Sequence, residues 1–569
     1  MKRFNHILRQ MHSQRLIFIL FLVALIVPNV LLSFTEHLTP AAILVNVVLP
    51  LGVYGVVLSL SPNVGRTVWI LFPVVFLAAF QIVLLSLYGR SVIAVDMFLN
   101  LTTTNPGEAG ELLANLWPTL IVVGLLYVPP LALGVYLWSK KIEFGPSVLR
   151  RGRRGSMVMC GLGLAGLAVC FAADKAYSMR TDLYPVNVGY NIGLAVNHSV
   201  KLSNYDATSR NFRFDARSVH PDTLPETYVL IVGETSRADH WGLNGYERNT
   251  TPMLSGVYGS KLHNFSRAMS ESNTTHKSVP LLLSHLTPAT YGDSIYAVKS
   301  IIYAFREAGF TTAFISCQRR NGSFIDFFGA EADTCLFIRE LDGLNIPDAN
   351  DMTLARTFDR YLRSDKSRKR LIVLHCYGSH FNYRDRYPRE YARFTPDAYA
   401  EANVDNRDAL VNAYDNTIAM TDRMLDHVLI SLGKQPGVAA MVYTSDHGED
   451  IFDDARHQFL HASPCPSFYQ LRVPFLVWLS DSYRARYPQT DAQLARHAHA
   501  RIPSNSTFFP TALDIAGVVT PKADATYSVA SPRFKEHKRV YLNDHNEAVA
   551  LTASGFTAED TRLLSALDH

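Results

Sequence analysis

Charged side chains are scarce in this sequence. Asp, Glu, Lys and Arg make up 18% of its 569 residues, against about 25% in an ordinary soluble chain. Hydrophobic residues reach 48%, and the mean hydropathy is slightly positive at +0.05. These values exclude a disordered, collagen-like or coiled-coil protein and argue against a wholly soluble one. Cysteine is sparse too: six residues in a chain this long are no disulfide scaffold. The net charge of +4 is small and spread out, so nucleic acid is not an expected partner. No internal repeat and no low-complexity tract is present. The length suggests about two to four domains.

What is abundant is apolar sequence, concentrated at one end. Five long runs lie within the first 175 or so residues, near 16–35, 41–60, 68–88, 117–138 and 156–174. Each approaches the ~20 residues that cross a bilayer as a helix, so a five-helix transmembrane domain is expected over residues 1–175. Pro129 and Pro130 fall inside the fourth run, where a packed bundle tolerates them. The first run is too long for a signal-peptide core and lacks a small-x-small cleavage site, so it reads as an uncleaved helix. Lys2, Arg3, Arg9 and Arg15 precede it. Arg66 lies between the second and third runs, and Lys140, Lys141, Arg150, Arg151, Arg153 and Arg154 between the fourth and fifth. With five spans all of these share one side, which the positive-inside rule makes the cytoplasm. Everything after the last span is then outside, which in a bacterium means the periplasm or the outer surface.

Beyond a linker at 176–222, the pattern over 223–569 changes. Short β-branched runs at 228–232, 311–316, 371–375, 439–444 and 475–479 alternate with helical stretches at 278–286, 300–308, 354–363, 408–432 and 506–516. Such alternation predicts an α/β domain with a mainly parallel central sheet. In an oxidising compartment Cys317 with Cys335, and Cys376 with Cys465, are candidate disulfide pairs, which sequence alone proves in neither case.

Three strand ends carry metal-ligand chemistry. Gly233-Glu234-Thr235-Ser236-Arg237 follows the strand ending at Val232, and open α/β sheets place their ligands at this end. Ser445-Asp446-His447-Gly448-Glu449 follows another, and adjacent Asp and His can both reach one ion. Their oxygen and imidazole donors suit Zn²⁺ or Mn²⁺. Gly378-Ser379-His380 follows a third, and His461 lies shortly after the Asp-His pair. Glu449 reads as a supporting residue or a cap. A nucleophile is offered by Thr274 or Thr275, which open an apolar helix. A hydroxyl there sits in a positive field, and a divalent ion would lower its pKa further. An ordinary Thr N-cap is the competing reading.

These motifs resemble the phosphoethanolamine transferases of Gram-negative bacteria, the family of the lipid A-modifying, colistin-resistance enzymes. The similarity runs through Leu243-Asn244-Gly245-Tyr246, Thr251-Pro252, Ser278-Val279-Pro280, Leu460-His461, Phe508-Phe509-Pro510-Thr511 and Asp514-Ile515-Ala516-Gly517. It extends to the five-span region, so it covers almost the whole chain. The resemblance implies an alkaline-phosphatase-like α/β/α hydrolase domain anchored in the inner membrane, with its catalytic domain periplasmic. It implies a catalytic Thr275 and a Zn²⁺ held by Glu234, Thr275, Asp446 and His447. His380 and His461 match histidines that bind a second zinc or the substrate phosphate, so one or two zinc ions are implied. Asn100, Thr104 and Glu108 match a segment that binds the lipid headgroup. The implied reaction moves phosphoethanolamine from phosphatidylethanolamine to lipid A or another lipopolysaccharide or glycan acceptor through a phospho-threonine intermediate.

The chain also departs from the family. It carries Glu271-Ser272-Asn273-Thr274 where a Cys-Gly-Thr stretch is common, so the Cys of one typical disulfide is absent. His276 and Lys277 add positive potential beside Thr275. A Lys near the substrate in many relatives has no match, and Arg319 or Arg320 stands as its replacement. The rival readings are a phosphoglycerol transferase of the lipoteichoic-acid-synthase type and a catalytically inactive lipid-binding scaffold. An enzyme with sulfatase activity would need a C/S-x-P-x-R maturation signal, and none surrounds the candidate site.

Overall fold

A computed structural model describes residues 2–36, 38–89, 91–103, 116–175, 177–341 and 350–568, with backbone alone at 2–12, 100–103 and 260. The chain forms two compact units, the first within residues 2–197 and the second chiefly within 198–568.

The first unit is helical: α1 (Lys2–Thr35), α2 (Pro40–Leu58), α3 (Val64–Ile70), α4 (Phe72–Tyr88), α5 (Val95–Thr103), α6 (Trp117–Ser139) and α7 (Pro146–Ala173). Among the described residues four helices are long and apolar enough to cross a membrane, Ser13–Thr35 within α1 together with α2, α6 and α7. The third expected span is a bent pair: α3 and α4 meet at 59°, and counting them as one span gives five. The break has a local cause. Pro73 occupies the first turn of α4, where its missing N–H and fixed φ start a helix rather than continue one. Pro129 and Pro130, by contrast, stay inside the single helix α6. Buried amides stitch the unit together. Asn29 Nδ2 donates to the carbonyls of Asn46 and Tyr184 at 2.8 and 2.7 Å, and Tyr184 N donates to Asn46 Oδ1 at 3.1 Å. The stretch expected as a linker is partly helical, with α8 at Val186–Ser203.

The second unit is built on a seven-stranded sheet. Its strands are β1 (Glu226–Gly233), β2 (Leu262–Asn264), β3 (Thr311–Ser316), β4 (Thr334–Phe337), β5 (Lys369–His375), β6 (Val438–Ser445) and β7 (Phe475–Leu479). Their order across the sheet is β2-β7-β6-β1-β5-β3-β4, and only β7 runs against the rest. The α/β expectation is met. The two edge strands β2 and β4 escape the sequence pattern because runs of three or four residues carry almost no periodicity. Every residue of β1 is buried, and successive side chains feed opposite faces. Tyr228, Leu230 and Val232 join a core with helices α9 (Thr275–Leu283) and α12 (Ser504–Ile515). Val229 and Ile231 join one with α10 (Asp351–Ser364) and α11 (Arg407–Leu432). The result is an α/β/α sandwich.

The candidate disulfides do not form: all six cysteines are thiols rather than half-cystines. Cys335 pairs in register with Phe314, so Cys317 lies three residues farther along β3, about 10 Å away and beyond the reach of a bridge. Cys317 N instead donates to His375 O at 2.8 Å, which brings it beside Cys376.

Phe305 is fully buried in the first core, and away from the strand ends that carry the motifs. Phe305→Ala should destabilise the protein by about 3–5 kcal/mol, read as a fall in the thermal midpoint of the detergent-solubilised chain.

Candidate metal centre

The neighbouring strands β1 and β6 are parallel and end level, Gly233 opposite Ser445. The residues just beyond them therefore emerge side by side. Asp446 N donates to Gly233 O at 3.0 Å, and Asp446 Oδ1 accepts from Thr235 N at 3.0 Å and His447 N at 2.7 Å. Thr235 adopts a φ of +59°, an uncommon conformation for a β-branched residue. Its surroundings enforce it: Tyr414 Oη donates to Thr235 O at 2.7 Å, and Thr235 Oγ1 donates to Glu234 Oε1 at 2.8 Å. The loop after β5 closes over Glu234. Ser379 N donates to Glu234 O at 2.9 Å, and Gly378 (φ +52°) passes so near that a Cβ there would lie 2.4 Å from that oxygen.

Glu234, Asp446 and His447 are buried, and their ligand atoms lie within 4.8 Å of one another. His447 Nδ1 donates to Gly448 O at 2.9 Å, so Nε2 carries the lone pair. Nε2 faces Asp446 Oδ2 at 3.1 Å and Glu234 Oε1 at 3.6 Å. Thr275 Oγ1 completes the group, 3.1 Å from His447 Nε2 and 3.3 and 3.5 Å from the Glu234 oxygens. Thr275 is the first residue of α9 and Thr274 its N-cap, so the helix begins three residues earlier than expected. Thr274 Oγ1 lies near Ser272 Oγ at 3.3 Å instead.

The electrostatics call for a cation. Burial, with the Asp446 carboxylate beside it, pushes the Glu234 carboxyl up to about 8, and burial takes Asp446 up to about 7. Burial and the neighbouring His461 push His447 well below its ordinary value. Asp446 Oδ2 is buried with no hydrogen-bond partner, the mark of an acceptor built for something other than an N–H. Two carboxylate oxygens, one imidazole nitrogen and one hydroxyl fit a four-coordinate Zn²⁺.

The two outlying histidines converge on the same place. His461 lies 4.2 Å from His447 and 6.0 Å from His380, ring centre to ring centre. Glu449 Oε1 contacts His461 Nδ1 at 3.2 Å, so Glu449 orients a histidine. His380 Nδ1 donates to Phe381 O at 2.6 Å. The cations Lys277 and Arg320 flanking the site are engaged elsewhere. Lys277 is buried and its ammonium donates to Asn543 O at 2.6 Å. Arg320 N donates to Glu340 Oε1 at 2.7 Å, and its guanidinium lies over Phe337. The residue that reaches the site from this loop is Gln318, whose Nε2 donates to Glu234 Oε2 at 3.1 Å and Cys376 O at 3.0 Å. An isolated Gln gives no sequence signal, although it immediately precedes the two arginines singled out. Asn505 was also missed; it ties Ser278 Oγ (2.7 Å) to Glu271 N (2.6 Å) beneath the loop that leads to Thr275. The side chain of Asn100, and Thr104 and Glu108 altogether, lie outside the described residues.

Arg237 locks the loops after β1 and β6 together. It is 1% exposed, bonds Asp239 at 2.5 Å and Asp453 at 2.8 Å, and lies over the Tyr469 ring at 4.6 Å.

Comparison with known proteins places this geometry among relatives. The family model described as Sulfatase matches residues 226–518. The Kdo(2)-lipid A phosphoethanolamine 7''-transferase of Salmonella typhimurium is 30% identical over 315 residues, 53% of this chain and 54% of that protein. The chain thus spans about half the length of this relative. Phosphoethanolamine transferase EptC of Escherichia coli is 27% identical over 502 residues, 81% of each chain. Among solved structures, the integral membrane lipooligosaccharide phosphoethanolamine transferase A of Neisseria meningitidis superposes over 91% of this chain and 99% of its own, with a TM-score of 0.70 at 22% identity. The zinc complex of the periplasmic domain of Escherichia coli EptC covers 59% of this chain and 95% of its own, with a TM-score of 0.53 at 23% identity.

Two substitutions test the surroundings of the centre. Arg237→Ala leaves buried Asp239 without its guanidinium partner and Asp453 with Arg407 alone, and should destabilise the protein by about 3–5 kcal/mol in thermal unfolding. Glu271 is buried, and burial raises its carboxyl from 4.5 to about 7 against the pull of its Ser506 bonds. Folding then costs stability as pH rises from 4.5 to about 7. Glu271→Gln should gain on wild type across that window by up to about 3 kcal/mol and hold the gain above it, as followed by unfolding at stepped pH.

Proposed function

The chain belongs to the sulfatase family, and from that premise we propose that it is a zinc-dependent phosphoethanolamine transferase of the bacterial inner membrane. Its donor is phosphatidylethanolamine and its acceptor lipid A or a related lipopolysaccharide. In this reading residues 1–175 form the membrane domain and 223–569 a periplasmic catalytic domain. The observation that carries the proposal is the Thr275 hydroxyl, 3.1–3.5 Å from Glu234 and His447 within a buried carboxylate–imidazole cluster. The activities of the relatives supply the substrate class, and the zinc complex of the Escherichia coli EptC domain supports the choice of metal.

Glu234, Thr275, Asp446 and His447 would hold the metal, which when bound lowers the pKa of the hydroxyl and offsets the charge on phosphate oxygens. Thr275 Oγ1 attacks the donor phosphorus; an Oγ1–P bond forms, the bond to the diacylglycerol oxygen breaks, and the headgroup phosphate remains on threonine. An acceptor oxygen then attacks the same phosphorus and frees Thr275. His380 and His461 face this phosphate as hydrogen-bond donors or as ligands of a second zinc, with Glu449 fixing the ring of His461. Gln318 keeps Glu234 turned inward.

Sulfatase activity is not favoured. The Ser278-Val279-Pro280 stretch continues with Leu281-Leu282, so the arginine of a maturation signal is absent. Ser278 Oγ is bonded to Asp446 O at 2.5 Å and is not available as a nucleophile. In phosphoglycerol transfer the donor headgroup would differ while the centre stayed the same.

Peptide mass spectrometry after incubation with phosphatidylethanolamine and Zn²⁺ should find a phosphoethanolamine adduct on Thr275. Thr275→Ala should lose the adduct and at least about 10³-fold in kcat. An adduct on Thr274, or one of phosphoglycerol from phosphatidylglycerol, would refute the assignment. Asp446→Asn should also lower the metal content of the purified protein, read by elemental analysis independently of activity.

A further inference from the structure

Strands across the sheet deliver site residues to one edge: Glu234 after β1, Gln318 after β3, Tyr377 and His380 after β5, Asp446 after β6. The edge strand β4 delivers one as well, and the proposed reaction leaves it unused. Arg339 lies in the 3-10 turn Ile338–Glu340 just after β4. Its guanidinium stands 3.9 Å from the centre of the Tyr377 ring. That ring in turn stacks on the imidazole of His380 at 5.6 Å and 11°. Arg386 stands over the same ring at 3.9 Å, but it is engaged: Nε donates to His380 O at 2.7 Å and Nη2 to Phe381 O at 2.9 Å. Arg339 is different. Its Nε is buried with no hydrogen-bond partner. The carboxylate next to it, Glu340, is taken by Arg320 through a 2.7 Å bond and a 3.8 Å ion pair.

A guanidinium 3.9 Å from a ring centre is held in place by the cation–π contact. Its fork of N–H donors matches phosphate oxygens two at a time. A buried donor without an acceptor carries a desolvation cost of about 1–3 kcal/mol, which an anion at that spot would relieve. Among the described residues no carboxylate pairs with Arg339, and Glu340, the nearest in sequence, is held by Arg320.

We propose that Arg339 is an anion subsite that binds a phosphate group of the substrate one ring away from His380. The proposal rests on the transferase reading for the identity of the molecule that carries the phosphate. Two sources share this chemistry, the phosphate already present on a lipid A acceptor and the phosphate of the donor headgroup. Arg339 touches no reacting atom in the first case and grips the transferred group in the second.

The test uses the full chain in detergent as wild type, Arg339→Gln and Arg339→Lys. KM is measured for phosphorylated lipid A in transfer and for phosphatidylethanolamine in hydrolysis to water. Arg339→Gln should raise one of these by about tenfold, equal to 1.4 kcal/mol. A rise for lipid A alone identifies the acceptor phosphate, and a rise for the donor identifies the headgroup phosphate. Arg339→Lys should recover part of the loss, since charge is kept and the fork is not. It also serves as the informative variant if Arg339→Gln does not fold. Both KM values unchanged within twofold would overturn the subsite. If wild type turns over neither lipid, the transferase reading fails. Titration calorimetry with inorganic phosphate then decides the subsite alone: binding weakened about fivefold or more by Arg339→Gln sustains it, and equal binding overturns it.

Discussion

Two carboxylates and an imidazole buried within 4.8 Å of one another cannot all keep their ordinary charge states. That constraint organises the second unit. Glu234 and Asp446 are each 1% exposed or less, and moving even one carboxylate out of water costs several kcal/mol. Protonation, a cation, or both must offset the expense. The surrounding bonds point to a cation. Asp446 Oδ1 is saturated by two backbone N–H groups while Oδ2 is left bare, and His447 Nδ1 is spent on a carbonyl so that Nε2 faces inward. A site meant to hold a proton would show the carboxylates bonded to one another. Here they are aimed at a common point that a hydroxyl also reaches.

The rest of the unit holds that point still. Thr235 is kept at a positive φ by a bond at its N–H, its carbonyl and its hydroxyl. The Asp446 carbonyl accepts from both Ser270 and Ser278, which flank the loop of the proposed nucleophile Thr275, and Asn505 ties that loop to α12. Leu542 N donates to Glu271 O at 2.8 Å, and Tyr541 Oη donates to Asn273 Oδ1 at 2.6 Å. The C-terminal stretch, which carries no motif, therefore braces the nucleophile loop from behind. Fixed groups need no reorganisation when charge moves, which is where most electrostatic catalysis comes from.

Much of this was legible in the sequence, for a physical reason. A buried parallel strand is a continuous β-branched run, and the residues just past its C-terminal end face the ligand, so Gly233-Glu234 and Ser445-Asp446-His447 announce themselves locally. Their adjacency does not. β1 and β6 are neighbours in space but some two hundred residues apart in the chain, and only the folded sheet, or a family resemblance, joins them. Gln318 was invisible because an amide says nothing until it meets its acceptor. The cysteine pairing was misjudged because strand register, not loop length, sets which thiols meet. The bend at Pro73 was hidden because hydropathy averages across a break that costs no apolar residue.

The composition of the first unit bears on the chemistry of the second. A phosphodiester in a lipid headgroup is confined to the bilayer surface, so an enzyme free in solution would meet it only after adsorption. Attaching the site to membrane-spanning helices turns that encounter into a local one, with an effective concentration set by the tether rather than by bulk lipid. Rigidity and anchoring then answer the same demand from two directions. If Thr275 is the nucleophile, a loop held by Asp446, Asn505 and Tyr541 cannot reach out to its substrate, and the substrate must be brought to it. In the proposed reading, tying the catalytic unit to the membrane that stores the donor is the arrangement under which a fixed site loses least.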